Sequence, residues 1–329
     1  MDSAKHITSA GYSNSSLKML PVGTVLLTTR APIGKVAIAG AEMCCNQGFK
    51  NLICSNRVYN EYLYRYLKFR ALDLQALGRG ATFKELSKKD VEDFEMLLPS
   101  MERQTEAVRV LSRIETAEMM VDLQIINLQN LVKSRFTEMF GELAHNSLGY
   151  REVKFYELGS WASGGTPPRS NPSFFQGEIN WYSAGELNSL YLPASKERIT
   201  FEAIATTSAK LFPANSLFIG MYDTAALKLG IATCPCSSNQ ACANLTPNEN
   251  VDLIWLYYAI SQLRSFLLEQ RSGCRQKNLS LRKIKDFDLP LPPLPLQREF
   301  AGFAERAAKL EFVAQRQIAD LVQYNIPRK

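Results

Sequence analysis

A long internal repeat constrains this 329-residue chain more than any other feature. A forward shift of 193 positions lays Pro99 on Pro292 and Gln104 on Gln297. Further matches, at this shift or one position less, are SSLKMLP with TSAKLFP (15–21 and 207–213), NQGFKNL with NQACANL (46–52 and 239–245), and residues 77–94 with 270–287. Solenoid repeats are much shorter, roughly 20–50 residues. The period therefore indicates duplication of a domain together with its linker.

The two copies differ at their start. Residues 5–7 align with residues 198–199, so the first copy has no counterpart of GSWASGGTPPRSNPSFFQGEINWYSAGEL, residues 159–187. A sheet deprived of those segments exposes strand edges and apolar surface, which normally must be covered. We therefore expect the first head to recruit a missing piece, most simply from a second copy of this chain or from a preceding fragment.

Each copy ends in a sequence typical of a long helix. Glycine and proline are both absent between Met101 and Phe140. Apolar residues recur at a and d positions through both segments, and pairing of the two helices is the simplest way to bury two matched seams. An amphipathic helix on a globular core is the alternative. The candidate helix-pairing residues are Leu111, Ile114, Val121, Ile125 and Leu128 in the first helix and Ala307, Ala314, Ile318 and Leu321 in the second.

The proline-rich segment KDFDLPLPPLPLQREF, residues 285–300, predicts a stiff entry into the second helix. Proline fixes φ and favours an extended conformation in the residue before it. Pro295 suits the first helical turn, where its missing N–H costs little. Such an elbow would fix the angle between a globular head and a helical rod. The expected regions are a first head at 1–100, a first long helix at 101–142, a second head at 143–293 and a second long helix at 294–329.

Basic residues cluster at matching places in both copies. The net charge is only +6, but residues 65–89 and 264–285 each concentrate arginine and lysine. One such cluster could equally be a solvated helix face. Its repetition beside tyrosines favours a surface that binds a polyanion. The candidate phosphate contacts are Arg79 and Lys84 in the first copy and Arg271, Arg275 and Lys277 in the second.

The segment SGGTPPRSNPSFFQGEINWYSAGEL, residues 163–187, surrounds aromatic residues with glycine, proline, serine and asparagine. This composition is typical of an ordered, irregular loop system that recognises a partner. Trp181 and Tyr182 are the aromatic candidates in this segment, and Tyr222 is a third. Core packing is the alternative interpretation for Trp181.

No pattern for catalysis, a cofactor or a metal stands out. The chain has two histidines, and the cysteines between residues 234 and 274 match no common zinc spacing. SNPSFF, residues 170–175, resembles an amino-methyltransferase loop but lacks its second proline and a preceding glycine-rich turn. Seven irregularly spaced cysteines and no signal segment or membrane span favour a cytoplasmic protein with reduced thiols. We expect no catalytic, cofactor-binding or metal-binding residue.

Taken together, these features resemble the specificity (S) subunit of Type I restriction–modification systems. The resemblance is carried by GGTP…W at the head of the second domain, NQ at its middle, and PLPPLPLQREF leading into the long helix. It implies an α+β fold in which two mixed α/β target-recognition domains are separated by two long helices that pair as an antiparallel coiled coil. Each domain would read one half of a split site in double-stranded DNA. Methyltransferase (M) subunits would dock on the helices and bring the restriction (R) subunits, and the chain itself would have no active site.

Two other functions stay open at this point. One is a coiled-coil scaffold whose two heads bind protein, and strongly salt-dependent DNA binding would exclude it. The other is a DNA methyltransferase or nuclease in its own right. Activity of the isolated chain with S-adenosylmethionine or magnesium would identify that alternative.

Overall fold

The computed structural model describes residues 6–80, 84–269 and 279–325, without the side chains of Asp223 and of residues 321–325. The chain divides into two compact units, the first formed by residues 1–121 and 318–329 and the second by residues 122–317. In the described ranges, none of the helices has the length and apolar character that a membrane span requires.

Unit 1 contains an antiparallel sheet packed against helices. Its strands are β1 (Val25–Thr28), β2 (Val36–Ile38) and β3 (Phe49–Leu52), and its helices are α1 (Ser9–Ser13), α2 (Asn60–Phe69), α3 (Ala71–Leu77), α4 (Lys88–Glu92) and the first part of α5 (Met101–Phe140). β1 lies between β2 and β3 and is antiparallel to both. Leu63 and Leu67, one turn apart on α2, are buried with Leu27 of β1 in one core.

The described residues of unit 2 form three sheets. Its strands are β4 (Arg151–Lys154), β5 (Gly159–Ser163), β6 (Ile179–Tyr182), β7 (Glu197–Ile199), β8 (Leu217–Gly220), β9 (Leu229–Ile231), β10 (Ser237–Ser238), β11 (Cys242–Pro247) and β12 (Asp288–Leu291). Its helices are α6 (Phe201–Thr206), α7 (Leu253–Glu269), α8 (Leu281–Lys285) and α9 (Leu294–Asn325), the last with its end in unit 1. Short 3-10 turns occupy Leu143–His145, Phe155–Leu158, Pro172–Phe175, Ala184–Glu186 and Asp223–Ala225. The strand orders are β5-β11-β8-β9, β10-β6-β7 and β12-β4, and only β10 and β6 are parallel.

Both long helices contribute to the core of unit 2. The ring of Phe300 on α9 meets the ring of Phe136 on α5 edge-on, with centroids 5.0 Å apart. Phe140 of α5 makes a similar contact with Trp255 of α7 at 6.0 Å. All four aromatic side chains are at most 2% exposed. The hydrophobic effect therefore anchors the start of α9 and the end of α5 to the second head.

Within unit 2 the two long helices run antiparallel. Arg135 of α5 donates from Nη2 to Glu299 Oε1 of α9 at 3.2 Å. Earlier on α5, Gln129 lines the same cavity as Glu311, which lies later on α9. The contact thus moves backwards along one helix as it moves forwards along the other. The predicted α+β class, with mixed α/β domains and long antiparallel helices, is confirmed.

The candidate helix-pairing residues differ in burial. Ala307 is buried, and the half-buried candidates are Ile114, Val121, Ile125, Leu128, Ala314 and Ile318. Leu111 is 44% exposed, whereas Gln104 and Val108 are buried in the same part of α5. Leu111 lies on the same face of the helix as Gln104 and Val108, so burial of this face decreases along α5 from Gln104 to Leu111. Leu321 lies outside the residues whose side chains are described, and the residue-by-residue pairing stays a prediction.

Candidate nucleic-acid interface

In unit 1 three loops are joined by backbone hydrogen bonds around Thr29. Thr29 N–H donates to Gly48 O at 2.9 Å, and Leu86 N–H donates to Thr29 O at 2.9 Å. The β1–β2 loop, the turn at residues 46–48 and the segment after residue 79 therefore meet beyond the end of the central strand β1. Arg30 lies beside the turn, since a Cβ on Gly48 would come within 3.1 Å of Arg30 Nε.

Asparagine builds the same turn in both units. Asn46 Oδ1 accepts from Gly48 N–H at 2.8 Å, and Asn239 Oδ1 accepts from Ala241 N–H at 3.0 Å. A side-chain oxygen that accepts from the backbone two residues on stabilises a tight turn. The residue after each asparagine is an exposed glutamine. This explains the NQ pair shared by the two copies.

Basic side chains project from these loops in unit 1. Arg79 and Glu85 exchange two backbone hydrogen bonds, 3.1 and 2.9 Å long, next to the exposed Lys84. The Arg79 side chain is 86% exposed, and its Nη2 lies 3.6 Å from Asp90 Oδ1. Hydrogen bonds from Ser87, with a further contribution from Arg79, hold the pKa of Asp90 below its usual value. Arg79 and Lys84 are thus available to a polyanion from a fixed backbone.

We call these loops and the backbone hydrogen bonds that join them the loop frame. Unit 2 repeats this loop frame with different side chains. Leu279 N–H donates to Met221 O at 2.7 Å, as Leu86 does to Thr29 in unit 1. The loop after β8 carries Tyr222, which is 37% exposed. Arg264 of α7 holds this loop by donating from Nε and Nη2 to one backbone carbonyl, Ala226 O, each at 3.2 Å. The candidates Arg271, Arg275 and Lys277 lie outside the described residues.

Trp181 and Tyr182 are buried, which favours core packing over direct contact of their rings with a partner, and their role in DNA binding stays a prediction. Each is 3% exposed. Trp181 Nε1 donates to Gly165 O at 3.0 Å, and Tyr182 Oη donates to Pro193 O at 2.7 Å. Burial also raises the pKa of Tyr182. Buried aromatic residues usually satisfy their polar atoms in this way, so the core interpretation left open for Trp181 applies to both.

Arg169 is the exposed cation of that loop system, and sequence reasoning missed it. Its guanidinium lies 4.2 Å from the ring centroid of Phe175 and pairs with both carboxylate oxygens of Glu197. Sequence reasoning also missed Arg30. The signal was present, because a shift of 192 aligns Arg30 with the candidate Tyr222.

Cys234, Cys236 and Cys242, the cysteines that the structure describes in unit 2, are free thiols, and two of them are buried. Burial raises the pKa of Cys236 and of Cys242 to about 12, and Cys234 is exposed. Residues 6–80, 84–269 and 279–325 contain no group of three histidine, cysteine or acidic side chains placed to hold a metal ion.

A second candidate surface lies on the long helices within unit 2. A groove of about 520 Å³ is lined by apolar side chains of α5 and α9, among them Leu128, Leu131, Leu310 and Val313. Leu131, Leu310 and Val313 are 53%, 58% and 50% exposed. Exposed apolar grooves of this kind mark sites of protein association.

Comparison with known proteins places this geometry in context. The family model described as the Type I restriction modification DNA specificity domain matches residues 5–127 and 149–318. The MjaIX specificity subunit of Methanocaldococcus jannaschii is 41% identical over 110 residues, 33% of this chain and 26% of that protein. The EcoR124I/EcoR124II specificity subunit of Escherichia coli is 27% identical over 216 residues, 63% of this chain and 52% of that protein. The chain thus spans about half the length of these curated relatives, or less.

Two solved structures share the fold. The S subunit of the Type I restriction–modification system from M. genitalium matches with a TM-score of 0.63 and 14% identity, over 93% of this chain and 82% of that one. A chain from a study of complex assembly and conformational transition of the type I R-M system matches with a TM-score of 0.60 and 19% identity, over 95% and 83%. At such identities the similarity shows the fold alone.

Proposed function

Because the chain belongs to the Type I restriction–modification DNA specificity family, we propose that it is the DNA-recognition subunit of such a system. Each unit reads one half of a bipartite site in double-stranded DNA. The observation that carries this proposal is the duplicated loop frame, in which Leu86 and Leu279 dock alike beside equivalent loops. Two similar heads on one chain suit a target made of two parts.

The side chains on the frame divide the work between affinity and specificity. Arg79 and Lys84, with Arg271, Arg275 and Lys277 in the second head, contact phosphates and position each head on the duplex. Arg30 and Tyr222 occupy equivalent places in the two heads but differ in chemistry. An arginine can make bidentate hydrogen bonds to guanine in the major groove, whereas a tyrosine offers one hydroxyl and a flat ring. The two heads therefore read different base pairs.

The groove formed by Leu128, Leu131, Leu310 and Val313 is the docking surface for an M subunit. The R subunits join the complex through the M subunits. In this proposal the chain works in the cytoplasm, where its thiols stay reduced. It has no active site, and methylation and cleavage belong to its partner subunits. An apolar helix from the M subunit would bury the exposed groove and contribute about 25 cal/mol per Å² of apolar area.

A second copy of the chain is the other proposed partner. Residues 6–80 and 84–121 leave the outer edge of β3 without a strand partner, and Ile53 just beyond it is 65% exposed. A strand equivalent to β5, which pairs with β11 in unit 2, would cover this edge. Sedimentation tests the idea: covering by a second copy predicts dimers that dissociate when a proline replaces Asn51 in β3, whereas a monomer at micromolar concentration contradicts it.

Salt-dependent binding tests the DNA-recognition proposal. The chain with its M subunits should bind duplex DNA with an affinity that falls steeply as salt rises. Alanine at both Arg275 and Lys277, or at both Arg79 and Lys84, should weaken binding to all sequences alike and reduce the salt slope by about 2. Arg113→Ala, at an exposed position of α5, is the matched control. Binding unaffected by salt would favour a protein-binding scaffold, and methyl transfer by the chain alone would favour an enzyme.

A further inference from the structure

A buried glutamine connects each long helix to its own head. Gln104 is the fourth residue of α5, and Gln297 is the fourth residue of α9. Both are 0% exposed. Glutamine is seldom fully buried in proteins, because its amide loses its hydrogen bonds to water. Full burial at the same place in both copies therefore requires a compensating set of partners.

In unit 1 the amide of Gln104 has three partners in the head and in the elbow before the helix. Gln104 Oε1 accepts from Tyr59 N–H at 2.8 Å. Gln104 Nε2 donates to Arg57 O at 2.9 Å and to Pro99 O at 2.8 Å. Tyr59 is the residue immediately before α2, the main helix of this head. One side chain thus connects the spacer helix, the elbow and the start of the head helix.

In unit 2 the amide of Gln297 makes the same three contacts. Gln297 Oε1 accepts from Asp252 N–H at 2.8 Å, and Nε2 donates to Pro292 O at 2.8 Å and to Asn250 O at 3.5 Å. Each partner lies 193 positions after its counterpart, since 252 − 59, 292 − 99 and 250 − 57 all equal 193. The backbone groups are conserved between copies although Tyr59 and Asp252, or Arg57 and Asn250, are chemically unlike. The side chain that the two copies share at this site is therefore the glutamine.

Only glutamine meets this set of partners from that position. The site needs one acceptor and two donors, which a carboxamide has and a carboxylate or an alkyl chain does not. Proline restricts φ in the elbow, but each residue there retains freedom about ψ. The three hydrogen bonds of Gln104 or Gln297 remove this freedom by tying the first turn of the long helix to the start of the head helix.

We propose that Gln104 and Gln297 are positioning residues that fix the direction of each long helix relative to its head, and thereby the number of base pairs between the two half-sites. The inference rests on the proposed bipartite DNA recognition. The 40 residues of α5 extend about 60 Å. A tilt of about 5° at the elbow would displace the far end by about 5 Å, which exceeds the roughly 3.4 Å rise of one base pair. Small errors at the elbow therefore change the spacing that the protein accepts.

The test uses the chain assembled with its M subunits and a duplex library in which the wild-type half-sites are separated by spacers of varied length. Wild type should select one length. Gln104→Glu and Gln297→Glu keep the size of the side chain and its acceptor but lose both donors. Each should accept neighbouring lengths and bind the optimal one at least about tenfold more weakly, because two hydrogen bonds are lost and a carboxylate is buried against two carbonyl oxygens. Glu106→Gln, two residues away at an exposed position, should select as wild type does.

A purely structural role for the glutamines makes a different prediction. It would lower the melting temperature and the yield of both variants while leaving the selected spacer length unchanged, and that result would overturn the proposal. Gln→Asn, whose shorter side chain cannot reach all three partners, takes the place of either glutamate variant that does not fold. Selection of a single spacer length by folded asparagine variants would overturn it equally.

Hydrogen exchange separates failure of this inference from failure of the proposed function. If the wild-type complex selects no bipartite DNA, the proposed function fails. The positioning role is then judged by the amides of residues 250–256 in Gln297→Glu. Exchange about tenfold faster there, with β11 unchanged, supports the role, and unchanged exchange at residues 250–256 overturns it.

Discussion

The two heads share a hydrogen-bonded frame but differ in what covers their sheets. In unit 2, β11 pairs with β8 on one side and β5 on the other. In the part of unit 1 that the structure describes, the equivalent strand β3 pairs with β1 alone. Ile53 is 65% exposed beside that edge, whereas its counterpart Thr246 lies within the β5–β11 pair. The two heads therefore share the loop frame, but the strand that covers the outer edge of the sheet differs between them.

The segment that enters each long helix shows the same contrast. In unit 2 it forms β12, which pairs with β4 and buries Leu289. In unit 1 Leu97 is 82% exposed, whereas its counterpart Pro290 is buried in β12. Tyr62 and Tyr66 of α2 donate their hydroxyls to Leu97 O and Glu95 O at 3.3 and 3.2 Å. A shift of 193 aligns these tyrosines with Trp255 and Ala259, which have no hydroxyl. Unit 1 thus satisfies two carbonyls with side chains from its own helix.

The apolar anchor of the long helix also belongs to one head. Phe300 of α9 contacts the rings of Phe136, Phe140 and Tyr258 in unit 2, and its counterpart in α5 is Ala107. The two heads thus share backbone hydrogen bonds around equivalent loops, whereas the packing of their side chains differs.

The largest expected effect breaks this apolar anchor. Phe300→Ala should lower the free energy of unfolding by about 3–5 kcal/mol, because it removes a fully buried ring and leaves a cavity. Urea denaturation measures the change. Phe312→Ala, at a position 62% exposed on the same helix, should cost less than about 0.5 kcal/mol. Equal effects of the two substitutions would show that α9 is not anchored through Phe300.

A smaller effect is expected on the long helices themselves. Ile125 is half-buried on α5, and its neighbour Ile126 is 52% exposed. Ile125→Asp should destabilise unit 2 by about 1–3 kcal/mol, because a charge is moved to a partly apolar surface without a partner. Ile126→Asp is the matched control and should leave the melting temperature nearly unchanged. An Ile125 variant as stable as the control would remove this residue from the helix-pairing seam.

The smallest effect sharpens the contrast between the two helix entries. Tyr62→Phe and Tyr66→Phe should each destabilise unit 1 by about 1 kcal/mol, since each leaves one carbonyl without its partner. Tyr64→Phe is a control on the same helix. Burial, and to a lesser degree the neighbouring Tyr66, raises the pKa of Tyr62 above 10.0. The neutral phenol is thus favoured in the folded state, and its contribution to stability should decline as the pH rises above about 10. Unchanged stability in Tyr62→Phe at neutral pH would refute this role.

The repeat predicted which residues of the two heads correspond, but not the hydrogen bonds that they make. Asn46 and Asn239 make the same turn in the two heads. Pro99 and Pro292 precede the long helix in each copy. The positions of side chains relative to the core were harder to predict. Loop-like composition around Trp181 did not reveal that its ring is buried. An a/d pattern did not reveal that Leu111 is 44% exposed although Gln104 and Val108 on the same face are buried. Both depend on tertiary packing that no local pattern records.

Base selection by the two loops tests the central claim most directly. The chain assembled with its M subunits would select duplexes from a random pool, first as wild type and then as Arg30→Ala and Tyr222→Ala. We expect wild type to enrich a site of two separated parts. Arg30→Ala should relax base preference in one part and Tyr222→Ala in the other, each by about 1–3 kcal/mol at the affected position. Relaxation of the same part by both variants, or of neither part, would contradict the account that two equivalent loops read two half-sites.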